Sequence, residues 1–300
     1  MRHKITIGVL ALLLGILTAP ARLHASAPRN IIVYFEFLDN ANGIEEAVSF
    51  LFGRMLRPGD QLIVQSPART YGFSPASLGR SKAELAVSLQ GRLRGDISRS
   101  GQGYKQVLLD LDAAALEIAE LAYPTGVVDA NKDLGEMFIL YRQGLANLRQ
   151  LRQVSAASLR RLSGAFQGQK GENHVIVLFE REFRPIPRRE ALNALADMPA
   201  FAMKANEMFS ATELDPPFDV PALAAFFRGV PLTLHFVYVT SKNTTIAGNR
   251  FESSGDIYSA FSKLAEATGG VCAATAEPRD GLKAVLKAWQ GSKLSGSREE

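Results

Sequence analysis

Residues 30–43, which read NIIVYFEFLDNANG, constrain the fold more than any other stretch of the chain. Ile31 to Phe37 consists of β-branched, aromatic and acidic residues with a single charge at Glu36, which predicts a strand buried on both faces. Asp39 to Gly43 is a cluster of turn formers, and an amphipathic helix follows at once. In an open α/β sheet, ligands bind beyond the carboxyl ends of such strands. The turn from Asp39 to Gly43 is therefore the first candidate for a functional site.

Apolar runs alternate with amphipathic helices along the rest of the chain, and this alternation predicts the fold class. In the first helix, Ile44 to Leu56, the apolar residues recur at helical spacing and form one stripe. We expect an α/β fold with a doubly wound, mostly parallel central sheet, flanked by helices and carrying a helical insertion. The predicted strands are Ile31–Phe37, Leu62–Gln65, Thr70–Phe73, His174–Phe179, Leu232–Val239 and Val271–Thr275.

The region from Ser81 to Gln169 has a helical pattern and is longer than one crossover connection requires. We expect a polar loop at Ser98–Gly103 between two helices and an inserted helical hairpin at about residues 123–153. One domain spans residues 28–290, and residues 291–300 are expected to form a disordered tail. The Met- and Phe-rich residues 198–209 are interpreted as core filling, with a partner-binding groove as the alternative.

Residues 1–27 have the features of a signal peptide. The start is basic, residues 5–18 are apolar, and Ala25-Ser26-Ala27 fits a cleavage site, with Ala19-Pro20-Ala21 as the alternative. We expect export to the periplasm or beyond, and no stable membrane insertion after cleavage. The leader contains three basic residues, so the net charge falls from +4 to +1, which gives little support for nucleic acid as a partner. The one cysteine, Cys272, and His235 are interpreted as core residues.

Three stretches together resemble the von Willebrand factor type A domain, in its bacterial exported type. They are residues 31–66, residues 174–182, and residues 229–239 with 256–289, and they cover roughly half of the mature chain. The RPGD join after the first helix and LAEATGG before the last strand are the most similar details. The resemblance implies a doubly wound sheet with a partner-binding rim, where family members hold magnesium through a D-x-S-x-S turn, a threonine and an aspartate.

Most of those metal ligands are missing from this sequence. The resemblance aligns the two hydroxyl positions of the turn with Ala41 and Gly43, the threonine with Gly103-Tyr104, and the aspartate of the fourth strand with Glu180. Asp39 alone keeps its expected type, and Asp39 and Glu180 are the two candidates if any metal binds. Because magnesium needs near-octahedral oxygen ligands, we expect the site to be degenerate and the function to be metal-independent.

The sequence therefore favours an exported protein-binding or scaffold module over an enzyme, because it has neither a G-x-S-x-G nor an H-E-x-x-H motif. A metal-dependent adhesion module is one alternative, and an extracytoplasmic hydrolase that uses Asp39 and Glu180 as acid and base is another. In a simpler interpretation, Asp39 or Asn42 caps the first helix, and Glu180 is solvated or paired with a neighbouring arginine. The predicted binding rim consists of Asp39, Asn40, Ala41, Asn42, Gly43, Gly103, Tyr104 and Glu180.

Overall fold

The computed structural model describes residues 27–37, 43–79, 81–122, 134–151, 159–160, 164, 166, 170–199, 201–211, 219–240, 250–252 and 254–295. Its strands are β1 (Arg29–Glu36), β2 (Gln61–Gln65), β3 (Thr70–Phe73), β4 (Glu172–Glu180), β5 (Phe183–Pro185), β6 (Thr233–Val239), β7 (Arg250–Glu252) and β8 (Cys272–Thr275). Its helices are α1 (Ile44–Phe50, continued by a π-helical turn at Leu51–Met55), α2 (Pro75–Leu78), α3 (Lys82–Ala122), α4 (Leu134–Leu151), α5 (Arg189–Ala196), α6 (Ala202–Ala211), α7 (Val220–Arg228), α8 (Gly255–Ala267) and α9 (Pro278–Ser295).

Six of the strands form a mixed, mostly parallel sheet in the order β3-β2-β1-β4-β6-β8. Every neighbouring pair is parallel except β2 and β3, so β3 is an antiparallel edge strand. The chain builds outward from β1 through β2 to one side, and from β4 through β6 and β8 to the other. This confirms the predicted α/β class and places the reversal of strand order between β1 and β4.

Helices cover both faces of this sheet. On one face, α1, α9 and the first part of α3 pack on the alternate strand residues that include Val33, Phe35 and Ile176. On the other face, α7 and α8 pack on the intervening residues, which include Val177 and Phe236. The predicted stripe on the first helix is confirmed, since Ile44, Val48, Leu51 and Met55 are all fully buried.

The longest helix corrects two expectations about the middle of the chain. The loop predicted at Ser98–Gly103 is wrong, because α3 runs unbroken through it for 41 residues. Burial continues at helical spacing across the glycines, at Leu93, Ile97, Gly101, Tyr104 and Leu108. Packing therefore outweighs the roughly 1 kcal/mol that each interior glycine costs a helix.

The end of α3 has a different packing partner from its start. Residues from Tyr104 onward leave the sheet and pack with α4, α5 and α6 in a separate apolar core. Residues 123–133, the first part of the hairpin predicted at 123–153, lie outside the described residues. In the described part, α4 packs against this second half of α3. We call the second half of α3 together with α4, α5 and α6 the helical bundle.

The amino ends of the parallel strands enclose a buried polar cluster. Asp60 accepts hydrogen bonds from the backbone N–H, Nε and Nη2 of Arg29 and from the backbone N–H of Arg57. The guanidinium carbon of Arg29 lies 4.5 Å from the ring centroid of Trp289. The aspartate of the RPGD segment therefore fixes the start of β1.

Two histidines complete this amino-edge cluster. The backbone N–H of Val271 points at Nδ1 of His235 and the indole N–H of Trp289 points at Nε2, each at 3.1 Å. His174 stacks on His235 with ring centroids 5.6 Å apart. His235 is 1% exposed, and burial lowers its pKa to about 3. The interpretation of His235 as a hydrogen-bonded core residue is confirmed.

Two short strands were not predicted from the sequence. β5 and β7 pair antiparallel as a separate two-stranded sheet, and neither is among the strands predicted from the sequence. Residues 291–295, assigned from the sequence to a disordered tail, belong to α9.

Candidate functional site

The parallel strands all end at one edge of the sheet, which is where the sequence predicted a site. At this carboxyl edge β1 ends with Glu36, β4 with Glu180, and Ser66 follows β2. Residues 39–42, which include Asp39, Asn40, Ala41 and Asn42 of the predicted rim, lie outside the described residues. The expected pairing of Asp39 with Glu180 therefore stays a prediction.

Gly43 is the described part of the predicted turn, and it is tightly enclosed. It has a φ of 75°, and a Cβ at this position would lie 2.7 Å from Cδ of Pro278 at the start of α9. Gly43 is also the N-cap position of α1. The interpretation in which Asp39 or Asn42 caps this helix concerns side chains outside the described residues. A glycine is needed here because its backbone is left-handed and α9 fills the space where a side chain would project.

Gly103 and Tyr104 lie within α3 and not in the loop expected from the family resemblance. Tyr104 is 4% exposed and belongs to the core of the helical bundle. Gly103 is exposed, and no atom lies within 4 Å of the place that its Cβ would occupy. These two residues therefore lie apart from the ends of the strands.

Glu36 and Glu180 end neighbouring strands but project from opposite faces of the sheet. Cα of Glu36 pairs with Cα of Phe179, and Phe179 belongs to the core under α7 and α8. Glu180 is the next residue, so it points to the opposite face, where α1, α3 and α9 lie. Adjacent strand ends thus do not bring these two carboxylates together.

The carboxyl group of Glu36 has a raised pKa, which the sequence did not predict. Burial raises its pKa from 4.5 to about 7, because the ionised carboxylate loses most of its hydration. The one signal in the sequence was that Glu36 is the single charge in an otherwise apolar strand. A carboxyl group with a pKa near neutrality can gain or release a proton under ordinary conditions.

Asp96 forms a second buried acidic site beside the end of β2. Its Oδ2 accepts hydrogen bonds from the hydroxyls of Ser66 at 2.7 Å and Tyr71 at 2.5 Å, and its Oδ1 accepts one from Arg99 at 2.9 Å. Asp96 belongs to an Arg-Gly-Asp tripeptide but is 0% exposed. The aspartate of this tripeptide is therefore not accessible to a partner. Its hydrogen bonds instead hold the β2–β3 hairpin against α3.

A hydroxyl network joins the end of β6 to the small sheet. The hydroxyl of Tyr238 donates to Glu252 at 2.6 Å and lies 2.7 Å from Oγ of Ser254. That Oγ accepts the backbone N–H of Glu182 at 3.0 Å. Burial and the hydrogen bond with Glu252 raise the pKa of Tyr238. The tyrosine hydroxyl thus remains protonated and holds β7 against the carboxyl edge.

The helical bundle is attached to this same edge. The hydroxyl of Tyr141 in α4 donates to the carbonyl oxygen of Pro185 in β5 at 2.9 Å. Burial raises the pKa of Tyr141 to about 12, so the donor proton is retained at neutral pH. β5 follows β4 after two residues, and this hydrogen bond therefore positions the bundle close to the end of a central strand.

A groove runs between α4 and α6 on the bundle surface. It has a volume of about 950 Å³, and the ion pair of Arg142 with Glu207 at 3.3 Å joins its two sides. Met203, from the Met- and Phe-rich segment, lines the groove and is 75% exposed. A second, smaller cavity continues it past Ile139, which is 68% exposed. Phe201 packs on the bundle core, and Met208 and Phe209 have side chains outside the described part.

Within the described residues, no group of three or more histidine, cysteine, aspartate or glutamate side chains could hold a metal ion. Of the two candidate ligands, Glu180 is described and Asp39 is not, so the expected degeneracy of the metal site stays a prediction. None of the described helices combines the length and the apolar character needed to cross a membrane.

Neither known protein-family models nor curated proteins provide a match to this chain. The resemblance to the von Willebrand type A domain therefore remains a prediction from the residues.

Proposed function

We propose that this chain is an exported protein-binding module of the von Willebrand type A kind, which binds its partner through the carboxyl edge and the attached helical bundle. The order of the strands supports the proposal. In the described residues the six-stranded sheet is mostly parallel and its order reverses between β1 and β4, the kind of place where open α/β sheets bind ligands.

The observation that carries the proposal is the apolar surface of the helical bundle. Leu109, Leu116, Ile139, Leu140, Met198 and Met203 are large apolar side chains that are each more than a third exposed. Exposed apolar side chains that lie together as a patch often mark a surface that a partner covers. The groove between α4 and α6 adds concavity, and Arg142, Arg149 and Glu207 give it a mixed polar rim. This combination is typical of protein-binding surfaces.

A photo-crosslinking experiment in the native envelope tests this function. A crosslinking amino acid at position 139 should capture one discrete partner, whereas the same amino acid at position 87 should not. Val87 is also 68% exposed, but it lies on the first half of α3 outside the bundle. Met203→Glu should then abolish capture at position 139 and leave thermal stability unchanged. Equal capture at both positions would overturn the proposed surface.

Metal independence is part of the proposal, because the resemblance leaves Asp39 and Glu180 as the two candidate ligands. Capture at position 139 should be the same with and without a chelator. Loss of capture on chelation would instead support the alternative of a metal-dependent adhesion module.

One observation favours a second candidate, an extracytoplasmic hydrolase. The pKa of about 7 at Glu36 suits a general acid or base better than an ordinary carboxylate would. In this version Glu36 would take the place of Glu180 beside Asp39, because Glu180 projects from the opposite face of the sheet. Screening the mature protein and its Glu36→Gln variant against ester, peptide and glycoside substrates tests it, because a real activity must fall in the variant.

A further inference from the structure

In the described sheet, the outer edge of β3 has backbone N–H and C=O groups that pair with no other strand. β3 is the last strand on its side, and it contains neither charge nor proline. Its four residues read Thr-Tyr-Gly-Phe, and Thr70 and Gly72 are exposed. Edge strands of this kind can pair with another strand unless charges, prolines or bulges prevent it.

The register shows which backbone groups point outward. The backbone N–H of Ser66 donates to the carbonyl of Arg69 at 2.8 Å, which closes the β2–β3 hairpin. Hydrogen-bonded and non-hydrogen-bonded pairs alternate along an antiparallel ladder. The pairs Gln65–Thr70 and Ile63–Gly72 are therefore of the non-hydrogen-bonded kind. The N–H and C=O groups of Thr70 and Gly72 consequently face away from β2.

This edge is also strongly basic. No acidic residue occurs between positions 61 and 83, a stretch that includes β2, β3 and α2. Arg69 and Arg99 approach the same carboxylate, that of Asp96, at 3.8 and 2.9 Å. The guanidinium carbon of Arg92 lies 5.9 Å from the ring centroid of Tyr71. Three arginines thus lie near Tyr71, at the start of β3.

The guanidinium groups of these arginines are accessible to a partner. The side chains of Arg69 and Arg99 are 59% and 61% exposed, whereas that of Asp96 is 1% exposed. Asp96 already accepts hydrogen bonds from Ser66 and Tyr71, and one carboxylate cannot neutralise three guanidinium groups. Because Tyr71 and α3 share one face of the sheet, alternate side chains of an added strand would point toward these arginines.

We propose that the β3 edge binds an extended acidic segment of a partner protein by strand addition. Backbone hydrogen bonds to Thr70 and Gly72 would hold the segment, and alternate carboxylates would pair with Arg69, Arg92 and Arg99. This surface is separate from the bundle groove, so the inference goes beyond the proposed function and can fail without it.

The probe is a fluorescein-labelled octapeptide in which glutamate alternates with valine, and its binding to the mature full chain is followed by anisotropy. The matched probe is the same octapeptide N-methylated at every internal residue, which keeps the charge but lacks the N–H groups that a strand needs. We expect the first peptide to bind and the methylated one to bind about tenfold or more weakly. Equal binding of the two peptides, or no binding at millimolar concentration, would overturn the proposal.

Gly72→Pro is the decisive protein variant. Proline removes the outward N–H of Gly72 and leaves the bonds from β2 to β3 intact, because this N–H does not face β2. Gly72→Ala is the matched control, since no atom lies within 4 Å of the added Cβ and the N–H is kept. We expect binding to weaken about tenfold in the proline variant and to stay unchanged in the alanine variant.

Replacing Arg69, Arg92 and Arg99 together by glutamine should weaken peptide binding and flatten its salt dependence. Met203→Glu should leave peptide binding unchanged, which separates this edge from the bundle groove. Binding of phosphatidylglycerol vesicles that needs the arginines but is indifferent to Gly72→Pro would assign the arginines to a membrane surface and overturn strand addition. Circular dichroism and thermal unfolding of each variant would verify that the fold is retained.

Discussion

At the amino edge of the sheet, the buried side chains of Arg29 and Asp60 form an ion pair. At the carboxyl edge, the half-buried Glu36 instead has a raised pKa. Asp60 accepts four hydrogen bonds from described donors, and its side chain is 2% exposed. For Glu36 the dominant influence is loss of hydration, which raises its pKa to about 7. At the amino edge the buried carboxylate of Asp60 is stabilised by hydrogen-bond donors. At the carboxyl edge the ionised form of Glu36 is disfavoured.

The same contrast appears in how the two edges respond to pH. The amino-edge histidines are held neutral, since burial lowers the pKa of His174 and of His235. The amino edge is therefore stable at neutral pH and weakens on acidification. Glu36 at the carboxyl edge behaves in the opposite way, because its neutral form fits the fold better than its ionised form. Residues that hold a fold together favour its native state near working pH, while functional groups often do not.

Breaking the amino edge should have the largest effect. In Asp60→Ala, the guanidinium of Arg29 remains buried without its carboxylate, and we expect the free energy of unfolding to fall by about 3–5 kcal/mol. Urea denaturation followed by circular dichroism measures the change. The control is Asp280→Ala, which removes an exposed ion pair with Lys283 and should cost less than about 1 kcal/mol. Similar losses in the two variants would show that the amino edge is not a buried structural pair.

Removing the charge at the carboxyl edge should stabilise the protein. The folded pKa of Glu36 is about 7 and its unfolded pKa about 4.5, so ionisation weakens the fold as pH rises through this window. We expect Glu36→Gln to raise the free energy of unfolding by up to about 3 kcal/mol at pH 8 and to leave it nearly unchanged at pH 4. Denaturation at both pH values checks this result. A variant that is less stable than the wild type at pH 8 would contradict it.

The histidines should give the opposite pH dependence. The folded pKa of His235 is about 3, below its unfolded value of 6.5, so stability is present above pH 6.5 and is lost as pH falls. Protonation would turn both ring nitrogens into donors that face the N–H groups of Val271 and Trp289. We expect His235→Asn to reduce the slope of stability between pH 6.5 and 5 by about 1.4 kcal/mol per pH unit. An unchanged slope would place the acid sensitivity elsewhere in the chain.

Much of the sheet could be predicted from the sequence, because buried strands have a strong compositional signal. The β-branched and aromatic runs at β1, β4 and β6 indicated the central strands, and the weaker pattern at Thr70–Phe73 indicated the strand that lies at the sheet edge. The short strands β5 and β7 have three residues each, which is too few for a period to be recognised. Their pairing depends on tertiary contacts, such as the hydrogen bond of Tyr238 with Glu252.

The site was harder to predict than the sheet. Composition indicated that Glu36 is an isolated charge, but its acidity depends on how much of its hydration the folded chain removes. Asp60 and Asp96 occur in turn-like tripeptides, and nothing in those tripeptides indicates that the fold buries both side chains. Gly103 and Tyr104 were assigned to a loop because glycine and serine surround them, whereas the burial of residues one turn away keeps α3 intact.

The smallest expected effect tests whether α3 bridges the sheet and the bundle as one rigid helix. Gly103→Ala adds a methyl group in open space at an exposed helical position, and we expect it to stabilise the protein by about 0.5–1 kcal/mol. Gly144→Ala in α4 is the matched opposite, because its Cβ would lie 2.7 Å from Cδ2 of Leu111. Overpacking there should destabilise the protein by about 1–3 kcal/mol. Thermal unfolding distinguishes the two variants, and a loss of stability in Gly103→Ala would restore the loop that the sequence predicted and separate the bundle from the sheet.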